Sequence, residues 1–340
     1  MRLALLLALF AACFLIAGEP NQRDFTFEYK ATVKDVPAGT QRLELWIPVP
    51  HNDAFQRILD VHVDAPYPHQ ILTGDQGNTM LHLAIAQPKE SSVPVTLTFH
   101  AVRLERIQPI VLAKATVTNE GDLSRWLKPD RLVPIDGQIR TWAREVVEAA
   151  DAQTDLEMAR AIYNHVVSTV KYDKTGKGWG RGDIYYACDA RRGNCTDFHA
   201  IFIGYARAMG IPARFAIGFP LPAERGAGKI AGYHCWAEFY AKGIGWVPVD
   251  ASEAAKNAAK REYFFGAHDE NRVELSKGRD VVLTPRQQGD PLNYFVYPYA
   301  EVDGKPYAKL ETSYAYRDLP AAANLVDSPP QWARRPEPLR

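Results

Sequence analysis

Between residues 25 and 104, apolar side chains recur at every second position. "FTFEYKATV" puts Phe25, Phe27, Tyr29, Ala31 and Val33 on one face, and "LELWIPV" does the same with Leu43, Leu45, Ile47 and Val49. "LHLAI" and "VPVTLTFHAV" repeat the alternation. Turn formers such as Pro37-Ala38-Gly39 and Thr73-Gly74-Asp75 separate the runs. A period of two buries one face of each strand, so several such strands between turns predict an antiparallel sandwich. The histidines of this half, His51, His62, His69, His82 and His100, are scattered and read as surface or sheet-face residues.

The period then changes. After a less regular connector at roughly 107–135, Ile139, Trp142, Ala143, Val146, Val147 and Ala150 follow helical spacing. Thr154 and Glu157 form a capping box for a second helix, whose stripe is Ala159, Ile162, Tyr163, Val166, Val167 and Val170. A glycine-rich loop, "KYDKTGKGWGRGDIYYACDARRG", leads to a third helix. Asn194 is its N-cap and Asp197 its N3 residue. Phe198, Ile201, Phe202, Tyr205, Ala206 and Met209 form its apolar stripe, and Gly210 with Pro212 ends it. Strand-like runs follow at 213–219, 234–241, 245–250, 281–284 and 293–302. Helices followed by antiparallel strands predict an α+β domain, not a parallel βαβ array. The chain thus divides into a leader at 1–18, a β-sandwich at 22–112, an α+β domain at 113–318 and an irregular Pro-rich tail at 319–340.

Composition adds constraints. A chain of 340 residues with 46% hydrophobic and 24% charged residues can bury a core without metal or disulfide staples. Its formal net charge of zero gives no pull toward nucleic acid or an acidic membrane. Met1-Arg2, the apolar "LALLLALFAACFLIA" and the small pair Ala17-Gly18 read as a cleavable export signal, too short for a transmembrane helix. The expectation is a periplasmic or secreted protein, with lipid anchoring through Cys13 of "FAAC" as the alternative. Three cysteines then remain, Cys188, Cys195 and Cys235. An odd number leaves one thiol unpaired or intermolecular. Cys188 and Cys235 read either as a disulfide or as two buried thiols, whereas a Cys188–Cys195 bond would be a latch on Cys195.

Cys195 stands at the first position of its helix. The helix dipole and free N–H groups there favour a thiolate and can hold an oxyanion beside it. From this helix alone, a small buried cysteine is an equally good reading. A thiol nucleophile needs a base and a group to orient that base. His234 opens an alternating strand with Trp236, Glu238 and Tyr240 on its own face and Cys235, Ala237 and Phe239 on the other. Asp250 ends the next strand, after "KGIG". Loop length decides whether they meet. A two-residue turn at 243–244 sets Asp250 opposite Ala237, on the face away from His234. A three-residue loop at 242–244 sets it opposite Trp236, with His234 as its diagonal neighbour at about 7–8 Å. The longer loop, or a bulge, is the expectation.

"GNCTDFHAIFIGYARAMGIPARF", "GYHCWAEFYAKGIGWVPVDAS" and the helix "ARAIYNHVVSTVKYD" together resemble the transglutaminase-like superfamily of papain-type thiol enzymes, over about 135–310. The resemblance implies a papain/transglutaminase-like core of helices on an antiparallel sheet. It implies Cys195 as nucleophile, His234 as its base and acid, and Asp250 as the residue orienting the imidazole. It also implies acyl transfer at a carboxamide through a thioester. Hydrolysis of a peptide or isopeptide amide is the first expectation. Protein-glutamine cross-linking or deamidation, and a non-catalytic interaction module, are the alternatives. Related enzymes take an oxyanion donor from upstream of the nucleophile, where Trp179, Tyr185 and Tyr186 are candidates. No cofactor is expected. Cys188, Cys195, His199, His234 and Cys235 are zinc-binding types, but no CxxC pair exists and His234 and Cys235 point to opposite faces of a strand. Calcium lacks an acidic loop of matching design. The loop "LPAERGAGKIAG", 221–232, reads equally as a lid over the cleft or as an ordinary hairpin loop.

Overall fold

The computed structural model describes residues 20–108 and 122–320. The leader expected at 1–18, with Cys13, lies outside these residues, as does the tail beyond 320. Among the described residues no helix is long and apolar enough to cross a membrane.

The alternating runs form strands β1 (Gln22–Val33), β2 (Arg42–Val49), β3 (Gln56–Asp64), β4 (His69–Thr73), β5 (Thr79–Ala86) and β6 (Val93–Leu104). A two-residue strand, β7 (Arg106–Ile107), follows. Next come helices α1 (Gly137–Ala149) and α2 (Asp155–Thr169), strand β8 (Lys171–Tyr172), helix α3 (Ile184–Ala190), strand β9 (Arg192–Gly193) and helix α4 (Cys195–Ala208). The remainder is β10 (Ala213–Pro220), β11 (Ala227–Ile230), β12 (His234–Ala241), β13 (Gly245–Val249), α5 (Ala251–Lys256), β14 (Ala267–His268), β15 (Arg272–Lys277), β16 (Tyr299–Val302), β17 (Lys305–Tyr307) and β18 (Leu310–Asp318). The fold is α+β, with antiparallel sheets carrying both halves.

Two five-stranded sheets, β11-β18-β1-β6-β3 and β17-β16-β2-β5-β4, make the sandwich. The predicted alternation is obeyed: Phe25, Phe27, Tyr29, Ala31 and Val33 are all fully buried. The sheet pairing crosses the boundary expected at 112/113. β16 and β18, late in the chain, pair with the N-terminal strands β2 and β1, β17 adds to the edge of β16, and β18 lies along nearly the whole of β1, from Phe25↔Asp318 to Val33↔Leu310. The physical reason is edge closure. Without β18, a long alternating strand would present an unpaired edge. Three smaller differences are local. The run at 281–284 makes only the single bridge Val281–Leu292, and the run at 293–302 shrinks to β16, just past Pro298, which has no N–H to give a ladder. The loop before α4 contains a helix, α3, because the Asp183 side chain accepts from the N–H groups of Tyr185 and Tyr186.

The second layer is a four-stranded sheet, β13-β12-β10-β15, with α4 against it. Phe239 of β12 meets Phe202 of α4 with ring centroids 6.0 Å apart. The helix was expected to bury one stripe, but every residue from Cys195 to Ala208 is buried. α1, α2, α3 and α5 close around it.

Arg23 fastens the two halves. It is 1% exposed, and its guanidinium donates to both Asp318 carboxylate oxygens at 2.8 and 2.9 Å, to Asn271 Oδ1 at 2.7 Å and to the Pro222 carbonyl. It therefore holds β1 and β18 of the sandwich to the chain leaving β10 and entering β15. Truncating one member of a buried ion pair leaves the other uncompensated, a cost of about 3–5 kcal/mol. Arg23→Ala is expected to lower the urea midpoint of unfolding accordingly. A midpoint within error of wild type would show that Arg23 does not secure this junction.

Candidate active site

Three local rules place the side chains. First, Asn194 caps α4: its Oδ1 accepts from Thr196 N–H at 2.9 Å, and the Asp197 carboxylate accepts from Asn194 N–H at 2.9 Å. This reciprocal box puts Cys195 at the helix start. Asp197 also accepts from Gly180 N–H at 2.7 Å and Gly182 N–H at 3.1 Å, so the same carboxylate staples the glycine-rich loop to the helix. Gly193 permits that closeness. A Cβ there would stand 2.1 Å from Asp197 Oδ2.

Second, the loop between β12 and β13 has three residues, 242–244, with Ala241 facing Gly245 and Ala237 facing Val249. Continuing this register sets Asp250 opposite Trp236, with His234 on its diagonal, as the longer loop required. His234 Nε2 and Asp250 Oδ2 are 2.7 Å apart. Third, Asp250 is also the N-cap of α5, where its Oδ1 accepts from Glu253 N–H and Ser252 Oγ, each at 3.1 Å.

Cys195, His234 and Asp250 thus converge, with His234 paired to Asp250 and near enough to Cys195 for its side chain and charge to favour the thiolate. All three are buried, at 2%, 6% and 0% exposure. Burial alone would push the Cys195 thiol up. Hydrogen bonds from Cys235 and His234 and the charge of His234 bring it well below the ordinary thiol value. Burial pulls His234 down, but the Asp250 carboxylate and the Cys195 sulfur raise it to about 10. Asp250 stays well below the usual carboxylate range: against burial stand the charge and hydrogen bond of His234 and the charge of Arg272. All three shifts act in the direction of a thiolate–imidazolium–carboxylate row. Since the folded value of His234 lies above its ordinary one, the stability this row contributes through His234 is complete below about pH 6.5 and is lost as pH rises through about 10.

Arg272, His199 and Tyr233 belong to the site although sequence reasoning gave them no such part. Arg272 Nη1 donates to Asp250 Oδ2 at 3.2 Å, while its Nε reaches Asp269 Oδ1 at 3.3 Å and its plane lies over Trp236 at 5.0 Å. Asp250 therefore shares one oxygen between an imidazole and a guanidinium. His199 Nε2 accepts from Ala251 N–H at 3.2 Å, which assigns the ring proton to Nδ1, 3.7 Å from Cys235 Sγ. Burial lowers its pKa, consistent with a neutral ring that ties α4 to α5. The Tyr233 hydroxyl accepts from Asn194 Nδ2 at 2.9 Å and pairs with Thr196 Oγ1 at 2.9 Å, and its ring meets Tyr294 at 5.5 Å. The only hint in the sequence was its place directly before His234.

Other expectations meet a mixed outcome. Cys188, Cys195 and Cys235 are all free thiols. Cys188 lies elsewhere, 3.4 Å from the Tyr205 hydroxyl. His234 and Cys235 alternate along β12 as expected, yet Cys235 also meets the first turn of α4, with Sγ 3.7 Å from Thr196 Oγ1 and from His199 Nδ1. Of the upstream aromatics, Tyr185 is 48% exposed and the Tyr186 ring packs on Gly178. Residues 227–230 of the loop at 221–232 form β11, the edge strand beside β18. Among the described residues no group of three or more His, Cys, Asp or Glu side chains could hold a metal ion.

Residues 140–251, which carry α1 through the start of α5, match the model of the transglutaminase-like superfamily. They form a transglutaminase-like core. A protein of Haemophilus influenzae described as uncharacterized is 28% identical over 325 residues, 83% of this chain and 86% of that protein. Among solved structures, a candidate cysteine protease from Cytophaga hutchinsonii superposes with a TM-score of 0.58 at 16% identity, over 88% of this chain and 92% of that one, a likeness of fold. The periplasmic domain of TgpA from Pseudomonas aeruginosa is more remote, with a TM-score of 0.36 and 16% identity over 70% of this chain and 90% of that domain.

Within the transglutaminase-like core, thiol chemistry separates the cysteines. Alkylation follows the thiolate fraction. Cys195 is expected to react with iodoacetamide at a rate nearly flat between about pH 6 and 8. Cys188, whose thiol is pushed up by burial, should accelerate about tenfold per pH unit in the same range. Peptide mass spectrometry of a pH series reads both rates. A Cys195 rate that climbs in step with Cys188 would remove the ion pair.

Proposed function

We propose that the protein is a thiol-dependent acyl-transfer enzyme that cleaves peptide or isopeptide amides, with Cys195 as nucleophile, His234 as base and acid, and Asp250 as the positioning carboxylate. The observation that carries this reading is the continuous row from the Cys195 sulfur through the His234 ring to Asp250, with 2.7 Å between His234 Nε2 and Asp250 Oδ2.

In this reading the Cys195 thiolate attacks the amide carbonyl carbon. The oxyanion forms beside the start of α4, where the helix dipole and the Cys195 N–H stabilise it. The His234 imidazolium gives its proton to the departing amine, leaving a thioester on Cys195. Water, deprotonated by the now neutral His234, then releases the acid. Asp250 holds Nε2, so the other ring nitrogen faces the sulfur. Arg272, Ser252 and the α5 N-terminus keep Asp250 ionised and in place. The export signal read at 1–18 supports action outside the cytoplasm.

Peptide amides and isopeptides, offered with and without a primary amine, test the reading. Wild type should release amine and free acid. Cys195→Ala should lose essentially all turnover, and His234→Ala should fall by about 10³-fold or more, consistent with loss of a base in a triad. Asp250→Asn should lower kcat more than it raises KM, since it disturbs the imidazole and not the substrate. Product joined to the added amine would move the assignment to cross-linking. Turnover surviving in Cys195→Ala would end it. No turnover in wild type on any amide, with Cys195 no more reactive than Cys188, would favour an interaction module.

A further inference from the structure

The end of α4 far from Cys195 opens on a cavity of about 350 Å³. α4 has 14 residues, so this cavity stands about 20 Å along the helix from the nucleophile. It is lined by Arg140 and Arg144 of α1 and by Arg207, Ala208, Met209 and Gly210 at the close of α4. Half of that lining is arginine and none of it is acidic. Arg207 is buried. Its Nε donates to the Ala213 carbonyl at 2.9 Å, and its Nη1 donates to the Lys128 carbonyl at 2.7 Å and to Asp130 Oδ2 at 2.8 Å. Asp130 therefore answers one of the three positive charges. Arg140 and Arg144 are exposed and stand four residues apart on α1. Their side chains make no hydrogen bond or ion pair among the described residues. Like charges at this helical spacing repel each other. Capping of α4 does not account for the pair. The carbonyls of Tyr205, Ala206 and Arg207 accept from the N–H groups of Met209, Ile211 and Gly210, and neither guanidinium donates to them.

The geometry points to a binding site for inorganic phosphate or a phosphate monoester in the cavity between Arg140, Arg144 and Arg207. A guanidinium presents parallel N–H donors that match two oxygens of a phosphate, and it sheds water more readily than an ammonium does. Two positive charges are left unanswered by the protein, and a phosphate dianion supplies two negative ones. A carboxylate would supply one. The size of the cavity bears on what the phosphate carries. A volume of about 350 Å³ lies near the lower end of small-molecule sites, about 300–1,000 Å³. It holds a phosphate with a small attached group, such as glycerol, and not a long chain. The same group reaches the protein either free in solution or as a headgroup on a lipid surface. Binding here involves none of Cys195, His234 and Asp250, so the site stands independently of the proposed amide chemistry.

The full-length protein would be titrated with inorganic phosphate and with glycerol phosphate at fixed ionic strength. Phosphorus NMR linewidth and the thermal midpoint of unfolding read the binding. Saturable broadening and a rising midpoint are expected. The double variant Arg140→Gln, Arg144→Gln should bind about tenfold more weakly or worse, through loss of charge-assisted hydrogen bonds. Both positions are exposed, so the variant should keep the fold, and an unchanged rate of iodoacetamide labelling at Cys195 checks this. Should that rate change, Arg144→Gln alone replaces it. Sodium chloride or acetate at the same ionic strength should leave the midpoint where it was. Equal effects of chloride and phosphate would mean an adventitious ion only and would overturn the site. Undiminished phosphate binding by the variant would overturn it too. Cosedimentation with phosphatidylcholine vesicles, with and without phosphatidic acid, separates the two sources. Capture by phosphatidic acid that inorganic phosphate displaces assigns a lipid headgroup. Binding of the soluble phosphates without capture assigns a free one. Capture that phosphate fails to displace would count against this cavity.

Discussion

The buried carboxylate of Asp250 is the constraint on which the rest of the site depends. An ionised acid with 0% exposure is stable in a protein interior only if its oxygens are fully engaged. Here one oxygen takes two hydrogen bonds from the first turn of α5, and the other takes His234 and Arg272. Those four partners come from three separate segments. The carboxylate therefore fixes where β12 begins, where β13 stops and how closely β15 approaches. The imidazole is oriented as a by-product of satisfying the acid. Its raised basicity follows from the same charge and in turn favours the thiolate form of Cys195.

Much of this was readable in the chain because it obeys short-range rules. The alternation of β1 and β2, the capping box at Thr154 and the Asn194–Asp197 box all depend on residues within a few positions of one another. The meeting of His234 and Asp250 was legible for the same reason, since a hairpin loop of three residues sets the register over the next six. What was not legible depends on distance along the chain. Arg272 lies 22 residues beyond Asp250, and it arrives by way of β10, whose ladder with β15 shifts register at Ile217/Gly218. Nothing in "NRVELSK" marks its arginine as a partner of the acid. The return of β16–β18 to the N-terminal sheets is a pairing of the same kind.

The contacts of Cys235 with Thr196 and His199 on α4 show where a pattern argument stops. Alternation correctly assigned Cys235 to the face opposite His234. It did not follow that only one face could meet the start of α4, because α4 packs on the Cys235 face, where Cys235 Sγ lies 3.7 Å from Thr196 Oγ1 and from His199 Nδ1. Periodicity describes the directions of side chains on one element. Which of them meet a second element depends on where that element ends.

The adjacency of β1 and β18 has a consequence for biogenesis. The two strands run side by side over nine residue pairs, yet they are made at opposite ends of the polypeptide. A chain that emerges amino end first therefore carries β1 with one ladder unfilled until the final strand appears. Arg23 likewise waits for Asp318. The transglutaminase-like segment behaves topologically as an insertion, clamped at both ends by a sheet that closes last. Such long-range closure is slow relative to local structure. Completion of the sandwich is in this way timed by β18, after Cys195, His234 and Asp250 have already been synthesised.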